Sequence, residues 1–465
     1  MYILIQLDDI KKVYFLGIGG IGMSAVARYF HSRNAQVSGY DKTPTPLTRS
    51  LEESGMSIHY EDNVKMVPAD AQLVIYTPAI PKEHKELQYC LKHGFTVLKR
   101  SEVLGIISDG TFNICVAGTH GKTTITTMIA HILRHSGYGC NAFLGGIATN
   151  YNTNFWSSER NVCVIEADEY DRSFLKLHPD IAIISAMDAD HLDIYGTEEA
   201  LQQAFIDFTH NVKPGGILAC KYGLKRRRKL IADKNITYSL QNDFADIYAT
   251  NIQIMNGSYR FDVMMQDNML NNVVLNMGGM HNIENVIAAI SVAHELGIEN
   301  EKIKAAVEAF RGVKRRFEYI VKNDQIVFID DYAHHPEELR ALLAGAKTLF
   351  PEKKCTIIFQ PHLFSRTRDM AFEFARSLDL ADEVILLPIY PAREEPIEGV
   401  SSRMILAAME NRNKQVLDRQ ECLKYLSERL LPNLNKEFGE ILITAGAGDI
   451  DGLVMPVKKM IEEQI

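Results

Sequence analysis

A short segment rich in glycine, lysine and threonine is the strongest chemical signal in this sequence. It runs Gly118-Thr-His-Gly-Lys-Thr-Thr124 and follows an apolar run, at a predicted strand-to-helix turn. Phosphate oxygens and Mg²⁺ need the N–H groups, ammonium group and hydroxyls that such a turn offers. The segment is a shortened P-loop, because Val116 stands where the full pattern has its first glycine. We therefore predict that Lys122 contacts the β- and γ-phosphates of a nucleotide and that Thr123 contacts Mg²⁺.

Two acidic segments follow two further apolar runs: Glu166-Ala-Asp-Glu-Tyr-Asp171 and Asp188-Ala-Asp-His-Leu-Asp193. The carboxyl ends of parallel strands share one edge of an open α/β sheet, so we expect both segments to meet at the P-loop around the metal. Mg²⁺ prefers carboxylate and phosphate oxygens, which makes Glu166 a natural ligand and His191 a less usual one. For any single acid a solvated loop is the better interpretation; for the two segments together, metal binding is.

A G-x-G-x-x-G pattern at Gly17, Gly19 and Gly22 lies between another predicted strand and helix. Glycines permit a tight turn there and let backbone N–H groups approach a pyrophosphate. Asp41 ends the next strand, 19 residues after Gly22, and is placed to accept a ribose hydroxyl. Alone the pattern indicates a nicotinamide dinucleotide, but the same geometry holds any diphosphate, including that of a UDP-sugar, and a packing turn is the structural alternative. The predicted substrate-binding set here is Gly17, Gly19, Gly20, Ile21, Gly22 and Asp41.

Polar segments in the rest of the chain supply further candidates. Gly279-Met-His-Asn-Ile-Glu-Asn285 precedes an alanine-rich run, and His281, Asn282 and Asn285 are candidates to recognise an adenine edge, with helix capping by Asn282 as the alternative. Paired His and Arg residues at later strand ends suit an anionic substrate and a transferring phosphoryl group, because Arg offers fork-shaped donors. They lie in Arg315-Arg316, Asp330-Asp-Tyr-Ala-His-His-Pro336, Gln360-Pro-His-Leu-Phe-Ser-Arg-Thr-Arg368 and Gly446-Ala-Gly-Asp449, and each has a structural alternative.

Apolar strands alternate with helices in three blocks, which is typical of α/β folds. The first block has strands at 13–16 and 36–40, with a helix from Met23 to about Ser32. The second has strands at 113–117, 162–165 and 181–185, a helix from the P-loop to about His135, and a loop then helix within 278–297. The third has strands at 326–329, 355–359, 383–387 and 441–445, and we place the boundaries between blocks near residues 107 and 313.

Length and composition limit the class of protein. At about 150 residues per domain, 465 residues predict roughly three domains. The net charge of −9 argues against a general nucleic-acid binder, and we interpret the basic run Lys225-Arg-Arg-Arg-Lys229 as a solvated helix face. No apolar run approaches a membrane span, and the N-terminal residues, which include Asp8 and Asp9, do not resemble a signal peptide. Seven separated cysteines without C-x-x-C spacing predict reduced thiols in a cytoplasmic protein.

The order of these motifs resembles the muramyl ligase family over nearly the whole chain. Six segments match in sequence and spacing: Gly-Thr-His-Gly-Lys-Thr-Thr, Glu-Ala-Asp-Glu, Asp-Ala-Asp-His, His-Asn-x-x-Asn, Asp-Asp-Tyr-Ala-His-His-Pro and Ser-Arg-Thr-Arg. The opening Gly-Ile-Gly-Gly-Ile-Gly-Met is similar to the branch that adds L-alanine, and the recycling branch that attaches whole tripeptides is the alternative. The chain departs from the family pattern at Thr77-Pro78, at Tyr170 and at Leu363-Phe364, where an Arg-Tyr pair is common.

The resemblance implies an α/β fold of three domains. They are an N-terminal Rossmann-like domain for the UDP moiety at 1–106, a central ATP-binding P-loop domain with a parallel sheet at 107–312, and a C-terminal Rossmann-like domain at 313–465 that closes over the active site. It also implies ATP-dependent ligation of L-alanine to the lactyl carboxylate of UDP-N-acetylmuramate through an acyl phosphate, with ATP and Mg²⁺ as cofactors. Expected partners are these two substrates, without nucleic acid or membrane, for a monomer or homodimer.

The resemblance further implies a role for each matching residue. The catalytic set is Lys122, Glu166, His191, His335 and Arg366. The metal ligands are Thr123, Glu166 and His191. The nucleotide-binding set is Gly118, Thr119, His120, Gly121, Lys122, Thr123, Thr124, His281, Asn282, Asn285 and Arg316. The amino acid and the acyl phosphate are held by Tyr332, His334, His335, Arg366 and Arg368.

Two interpretations from other classes compete with a ligase. A nicotinamide-dependent dehydrogenase explains the first glycine pattern but leaves Lys122 and both acidic segments unused. A nucleotide-binding protein without catalytic activity also fits, because motifs alone do not prove turnover.

Overall fold

Three β-sheets organise the chain. The computed structural model describes residues 7–170, 172–189, 192–266, 268–392 and 394–464, and within these ranges the sheets have five, ten and six strands. Every strand predicted from the sequence is present to within a residue or two, and the α/β class is confirmed. Among the described residues, we find no helix with the length and apolarity that a membrane span requires.

The first sheet is parallel and has the order β3-β2-β1-β4-β5. Its strands are β1 (Lys12–Leu16), β2 (Gln36–Tyr40), β3 (Ser57–His59), β4 (Leu73–Tyr76) and β5 (Val97–Lys99), and its helices are α1 (Ile21–Ser32), α2 (Pro46–Glu53), α3 (Lys85–Lys92) and α4 (Arg100–Asp109). The helix predicted from Met23 begins two residues earlier, directly after the glycine turn. This arrangement places the turn at the carboxyl edge of β1, the central strand.

The second sheet has the order β15-β14-β13-β12-β11-β10-β6-β9-β7-β8. Its strands are β6 (Phe112–Ala117), β7 (Asn141–Ala148), β8 (Thr153–Trp156), β9 (Val162–Glu166), β10 (Ile181–Ile184), β11 (Ile217–Lys221), β12 (Lys234–Ser239), β13 (Ile247–Met255), β14 (Ser258–Met265) and β15 (Asn268–Leu275). The associated helices are α5 (Lys122–His135), α6 (Leu192–Tyr195), α7 (Glu198–Thr209), α8 (Met280–Glu295) and α9 (Asn300–Ala309). Strand β6 lies between β10 and β9 and is parallel to both.

The third sheet has the order β16-β17-β21-β18-β19-β20, and only the β16–β17 pair is antiparallel. Its strands are β16 (Glu318–Lys322), β17 (Ile326–Asp331), β18 (Lys354–Phe359), β19 (Glu383–Leu386), β20 (Lys414–Val416) and β21 (Glu440–Ala445). Its helices are α10 (Pro336–Leu349), α11 (Phe364–Asp369), α12 (Ala371–Leu378), α13 (Ser402–Ala408), α14 (Arg419–Tyr425) and α15 (Val454–Gln464). The carboxyl ends of β17, β18 and β21 therefore share one edge.

Continuous apolar runs explain the central parallel strands. Ile114 and Val116 of β6 are fully buried, as are Ile183 and Ile184 of β10, because helices cover both faces of such sheets. Tyr29 of α1 packs against Phe143 and Phe155 of β7 and β8, with ring centroids 5.4 and 6.2 Å away. This apolar contact joins the helix after the glycine turn to the second sheet.

The chain divides into two compact units. The first comprises Met1–Thr250, Asp262–Val273 and Glu284–Ala309, and the second comprises Asn251–Phe261, Val274–Ile283 and Phe310–Ile465. The glycine turn, the P-loop and both acidic segments belong to the first unit. The His and Arg candidates at the ends of β17 and β18 belong to the second. The domain boundaries at 106/107 and 312/313 stay a prediction.

Candidate active site

The P-loop is held between β6 and α5 by contacts with the segment after β10. Gly118 and Gly121 have φ of +136° and +80°, and a Cβ at Gly118 would overlap Ser185 Oγ, so both positions favour glycine. The Thr119 N–H donates to Ala186 O at 3.2 Å, and the Asp188 N–H donates to Thr119 Oγ1 at 3.3 Å. The loop is therefore preorganised, and the free N–H groups of the first turn of α5 are available for an anion.

Lys122, the first residue of α5, has its ammonium group held by two acceptors. Nζ lies 2.9 Å from Gly118 O and 2.7 Å from Glu169 Oε1. The Glu169 side chain has no exposed surface. Burial raises the pKa of its carboxyl, although the Lys122 charge opposes that shift. The sequence places Glu169 in an acidic segment but indicates no role for its carboxylate.

Glu166, the last residue of β9, has both carboxylate oxygens oriented by neighbouring groups. Oε1 accepts from Thr123 Oγ1 at 3.0 Å, and Oε2 accepts from the Gly145 N–H at 3.0 Å. The expected convergence of strand ends is confirmed, because β9 and β10 flank β6. Asp188, in the segment that follows β10, has its carboxylate 3.9 Å from the ring of His120. Three residues of the two segments lie outside the described ranges: Asp171, Asp190 and the predicted ligand His191.

These oxygen atoms fit Mg²⁺. A magnesium ion is commonly bound through one or two carboxylates or hydroxyls, with phosphate oxygens and waters completing the shell. The Thr123 hydroxyl and the Glu166 carboxylate offer such a pair beside the phosphate-binding turn. The described residues contain no group of three or more His, Cys, Asp or Glu side chains arranged to hold a metal by themselves. The donor set therefore suits a metal that arrives with a nucleotide.

The glycine turn after β1 uses most of its own N–H groups internally. The N–H of Gly17 donates to Tyr40 O at 2.8 Å, and that of Gly19 donates to Asp41 Oδ2 at 2.7 Å. The N–H of Gly20 points back to Gly17 O at 3.3 Å. The predicted roles of these glycines as diphosphate donors, and of Asp41 as a ribose acceptor, stay predictions, but Asp41 already orients the turn itself.

The remaining donors near this turn are the first N–H groups of α1 and an arginine. Ile21 and Gly22 occupy the first helical turn, where N–H groups have no partner within the helix. The half-buried Arg100 lies against Gly22: a Cβ there would be 3.0 Å from Arg100 Cζ. Asn154 fixes the helix start by donating to Ile21 O at 2.6 Å. Sequence reasoning missed Arg100, since one basic residue after a short strand carries no pattern.

The three candidates at the start of α8 lie on one helix and make different contacts. A Cβ at Gly121 would lie 2.8 Å from Asn285 Oδ1, so Asn285 and the P-loop are neighbours in the first unit. Asn282 is buried and donates to Gly278 O at 2.6 Å, which agrees with a structural role at the helix start. His281 lies against Gly279.

In the second unit, the ends of β17 and β18 bring imidazole and guanidinium groups together. The ring centroids of Tyr332 and His334 are 5.1 Å apart, and those of His334 and His362 are 6.1 Å apart. Burial and, to a smaller extent, the Arg366 charge lower the pKa of both imidazoles, which favours their neutral forms. Arg366 Nη1 is buried without a hydrogen-bond partner among the described residues. The cluster suits an anion, and His362 is a member that sequence reasoning did not select.

Other predicted residues of this unit have contacts of their own. Arg368 is paired with its neighbour Asp369, at 2.7 and 3.1 Å. The His335 N–H donates to Glu338 Oε2 at 3.0 Å at the start of α10. Arg316 is exposed, whereas the adjacent Arg315 donates to Gly446 O. Arg315 is thus an internal link between the ends of β17 and β21.

Asp330 at the end of β17 is expected to make stability depend on pH. Its carboxylate is 1% exposed and accepts from Thr444 Oγ1 at 2.6 Å, yet burial raises its pKa to about 7. The folded state then binds more protons than the unfolded state, so stability falls as pH rises between about 4 and 7. Asp330→Asn removes this titration. We expect its melting temperature, relative to the parent protein, to increase across that window.

The matched control for this prediction is Asp324→Asn, at an exposed aspartate of the same unit. Its melting temperature relative to the parent should stay constant over the same pH range. A constant difference for Asp330→Asn as well would show that Asp330 is ionised throughout and would contradict the prediction.

The fold and site together define a P-loop nucleotide enzyme built on three α/β sheets. Family models match nearly all of it: "Mur ligase family, catalytic domain" at residues 12–111, "Mur ligase middle domain" at 116–293 and "Mur ligase, glutamate ligase domain" at 315–448. The chain belongs to the Mur ligase family, whose members are ATP-dependent ligases, and it has the family's three-domain fold.

Three relatives match this chain over nearly its full length. The UDP-N-acetylmuramate–L-alanine ligase of Cytophaga hutchinsonii is 46% identical over 99% of this chain and 98% of its own length. The crystal structure of the UDP-N-acetylmuramate–alanine ligase of Thermotoga maritima matches with a TM-score of 0.80 and 28% identity, over 97% of this chain and 98% of that one. A murein peptide ligase structure from Psychrobacter arcticus has a TM-score of 0.65 at 24% identity, over 98% and 99%, and so shows the fold alone.

Proposed function

We propose that this chain joins L-alanine to the lactyl carboxylate of UDP-N-acetylmuramate, with ATP converted to ADP and phosphate. The observation that carries the proposal is the placement of the Lys122 ammonium, the Thr123 hydroxyl and the Glu166 carboxylate at the ends of two adjacent strands. Full-length relatives that are 45–46% identical to this chain bear the name of that reaction. The product is the first peptide-bearing precursor of peptidoglycan, and we place the reaction in the cytoplasm, where ATP and UDP-sugars are available.

The first step makes the carboxylate reactive. A carboxylate oxygen attacks the γ-phosphorus, and the bond between that phosphorus and the β–γ bridging oxygen breaks. The products of this step are ADP and an acyl phosphate. Most of the catalysis in phosphoryl transfer is positioning and stabilisation of charge. Lys122 neutralises the γ-phosphate, and the N–H groups of the P-loop and of the first turn of α5 orient it. The rest of the loop, Gly118 to Thr124, and Asn285 beside Gly121 are assigned to the nucleotide.

Thr123 and Glu166 are assigned to Mg²⁺, with His191 as a third ligand. When bound, the ion would supply positive charge that stabilises the negative charge on the phosphate oxygens during transfer. The Gly145 N–H keeps the Glu166 carboxylate oriented, which is a typical outer-shell contribution to a metal site.

The second step forms the amide. The alanine amine attacks the acyl carbon, a tetrahedral intermediate forms, a proton leaves the nitrogen, and the carbon–oxygen bond to phosphate breaks. We assign Tyr332, His334, His335, Arg366 and Arg368 to the amino acid and the acyl phosphate. Arg366 suits an anionic group, because its buried Nη1 has no partner within the described part of the chain. The neutral form of His334, favoured by burial, suits acceptance of a proton.

The diphosphate of the UDP-sugar is assigned to the glycine turn. The first N–H groups of α1, at Ile21 and Gly22, combine with the guanidinium of Arg100. Gly17, Gly19 and Asp41 hold the turn in shape through their internal hydrogen bonds.

The function is tested by incubating the protein with ATP, Mg²⁺ and UDP-N-acetylmuramate and adding L-alanine or L-Ala-γ-D-Glu-meso-diaminopimelate in separate reactions. Phosphate release and the mass of the UDP product are followed together. We expect a mass increase of one alanine residue and phosphate release that requires every component. Product with the tripeptide alone would identify a recycling ligase instead. Absence of product with either acceptor would refute the proposed function.

A further inference from the structure

Glu169 is a buried carboxylate that the proposed mechanism leaves without a task. It is the last residue of the segment Glu166-Ala-Asp-Glu169, and only Glu166 of that segment is assigned to the metal. Its side chain has no exposed surface. Removing a charged carboxylate from water is unfavourable unless a partner compensates, so a buried glutamate beside a nucleotide site calls for an explanation.

The partner of this carboxylate is the P-loop lysine. Glu169 Oε1 lies 2.7 Å from Lys122 Nζ, although 47 residues separate them in the chain. The backbone at Glu169 is fixed as well: Tyr195 Oη donates to Glu169 O at 2.7 Å, and the Arg172 N–H donates to the same oxygen at 3.0 Å. The position of the carboxylate is thus determined by the fold.

The contacts of Lys122 show what this arrangement does. An ammonium group has three N–H donors, and Gly118 O and Glu169 Oε1 take two of them. Gly118 belongs to the P-loop, and Glu169 is held beside it by the fold. Because two of the three tetrahedral N–H directions are set, the direction of the third donor is fixed as well. A lysine side chain has four rotatable bonds, and holding it in advance removes the entropy that would otherwise be lost when it meets the phosphate.

We propose that Glu169 is the positioning residue of Lys122: it aims the ammonium group at the γ-phosphate and contributes to turnover rather than to nucleotide affinity. This inference rests on the proposed function. A negative carboxylate close to a triphosphate weakens the attraction between protein and nucleotide, so Glu169 is unsuited to a role in affinity. Its benefit is realised when the lysine must match the position of the transferred phosphoryl group.

The test compares three variants with the parent enzyme. Glu169→Gln keeps the shape of the side chain and removes its charge. Glu169→Asp keeps the charge but shortens the side chain by one methylene, which moves the carboxylate away from Lys122. Glu199→Gln removes an exposed carboxylate of the same unit and serves as the control. The measurements are kcat at saturating substrates, the Kd for ATP with Mg²⁺ in the absence of the other substrates, and the melting temperature.

We expect both Glu169 variants to lose about tenfold to a hundredfold in kcat. Their Kd for ATP should be unchanged or, for the glutamine, lower, whereas Glu199→Gln should behave as the parent. A kcat equal to that of the parent in both variants would overturn the proposal. So would a parental kcat in Glu169→Asp alone, because neutralisation of Lys122 would then be sufficient without positioning.

A purely structural role predicts another pattern, in which melting temperature, ATP affinity and kcat fall together, and that result would also overturn the proposal. Should Glu169→Gln fail to fold, Glu169→Asp decides the question, because it retains the ion pair's charges. If the parent forms product and both Glu169 variants have the parental kcat, this inference is refuted and the proposed function is not. No product from the parent refutes the proposed function and the inference with it.

Discussion

Replacing Lys122 by alanine is expected to lower kcat for UDP-N-acetylmuramoyl-L-alanine formation by about 10²–10³-fold, the range found when one preorganised donor to a transition state is removed. The ammonium group lies at the end of the P-loop, where the γ-phosphate would be held. Its loss removes charge neutralisation during transfer and leaves the rest of the loop in place. The measurement is the initial rate of product formation at saturating ATP and UDP-sugar. Undiminished product formation would refute the assignment.

This variant has a second, structural consequence that the control must separate. Without Lys122, the carboxylate of Glu169 is left buried without its cation, and breaking a buried pair in this way typically costs about 3–5 kcal/mol. The double variant Lys122→Met/Glu169→Gln removes both charges. We expect it to regain most of the thermal stability and none of the activity. Recovery of activity together with stability would show that the lysine serves the fold and has no part in phosphoryl transfer.

Replacing Glu166 by glutamine is expected to give the second largest effect. Glutamine retains the size of the side chain and an acceptor for the Thr123 hydroxyl, but it removes the negative charge next to the predicted metal. We expect the Mg²⁺ concentration for half-maximal rate to rise about tenfold or more. We also expect kcat at saturating Mg²⁺ to fall about a hundredfold. Both are obtained from a magnesium titration of the initial rate.

The control for this experiment is Glu159→Gln, at an exposed glutamate of the same unit. It removes the same charge from the protein without altering the P-loop, so its magnesium titration should coincide with that of the parent. An unchanged magnesium requirement for Glu166→Gln would exclude this carboxylate as a metal ligand. A proportionate change in both variants would indicate a general effect of net charge.

The two largest effects concern residues that the sequence alone indicates. Lys122 and Thr123 are recognisable because a strand-to-helix turn places them at fixed distances from the preceding glycines, and short-range spacing is enough to define that geometry. Glu166 required one further step, the rule that parallel strand ends share an edge, and the order β10-β6-β9 agrees with it. The strands themselves were predictable because parallel strands that are buried on both faces have uninterrupted apolar sequences.

Contacts between distant segments were beyond the reach of that reasoning. Glu169 and Lys122 lie 47 residues apart, and Arg100 reaches the turn at Gly22 from the start of α4. His362 and Arg366 are only four residues apart in the chain, at the start of α11. The proximity of His362 to His334, in contrast, depends on the pairing of β17 and β18 with β21. Spacing along the chain contains no information on such neighbours, because strand order in the sheet decides them.

The sequence by itself determined the α/β class, the position of the P-loop and the identity of its lysine and threonine, since these follow from local periodicity and from spacing within a single turn. The tertiary structure decided which N–H groups of the first glycine turn are used internally, which acceptors hold Lys122, and which arginines have a donor left for a ligand. The physical reason is that a hydrogen-bonding group is committed by whichever partner the fold brings within about 3 Å, and most of those partners are remote in sequence.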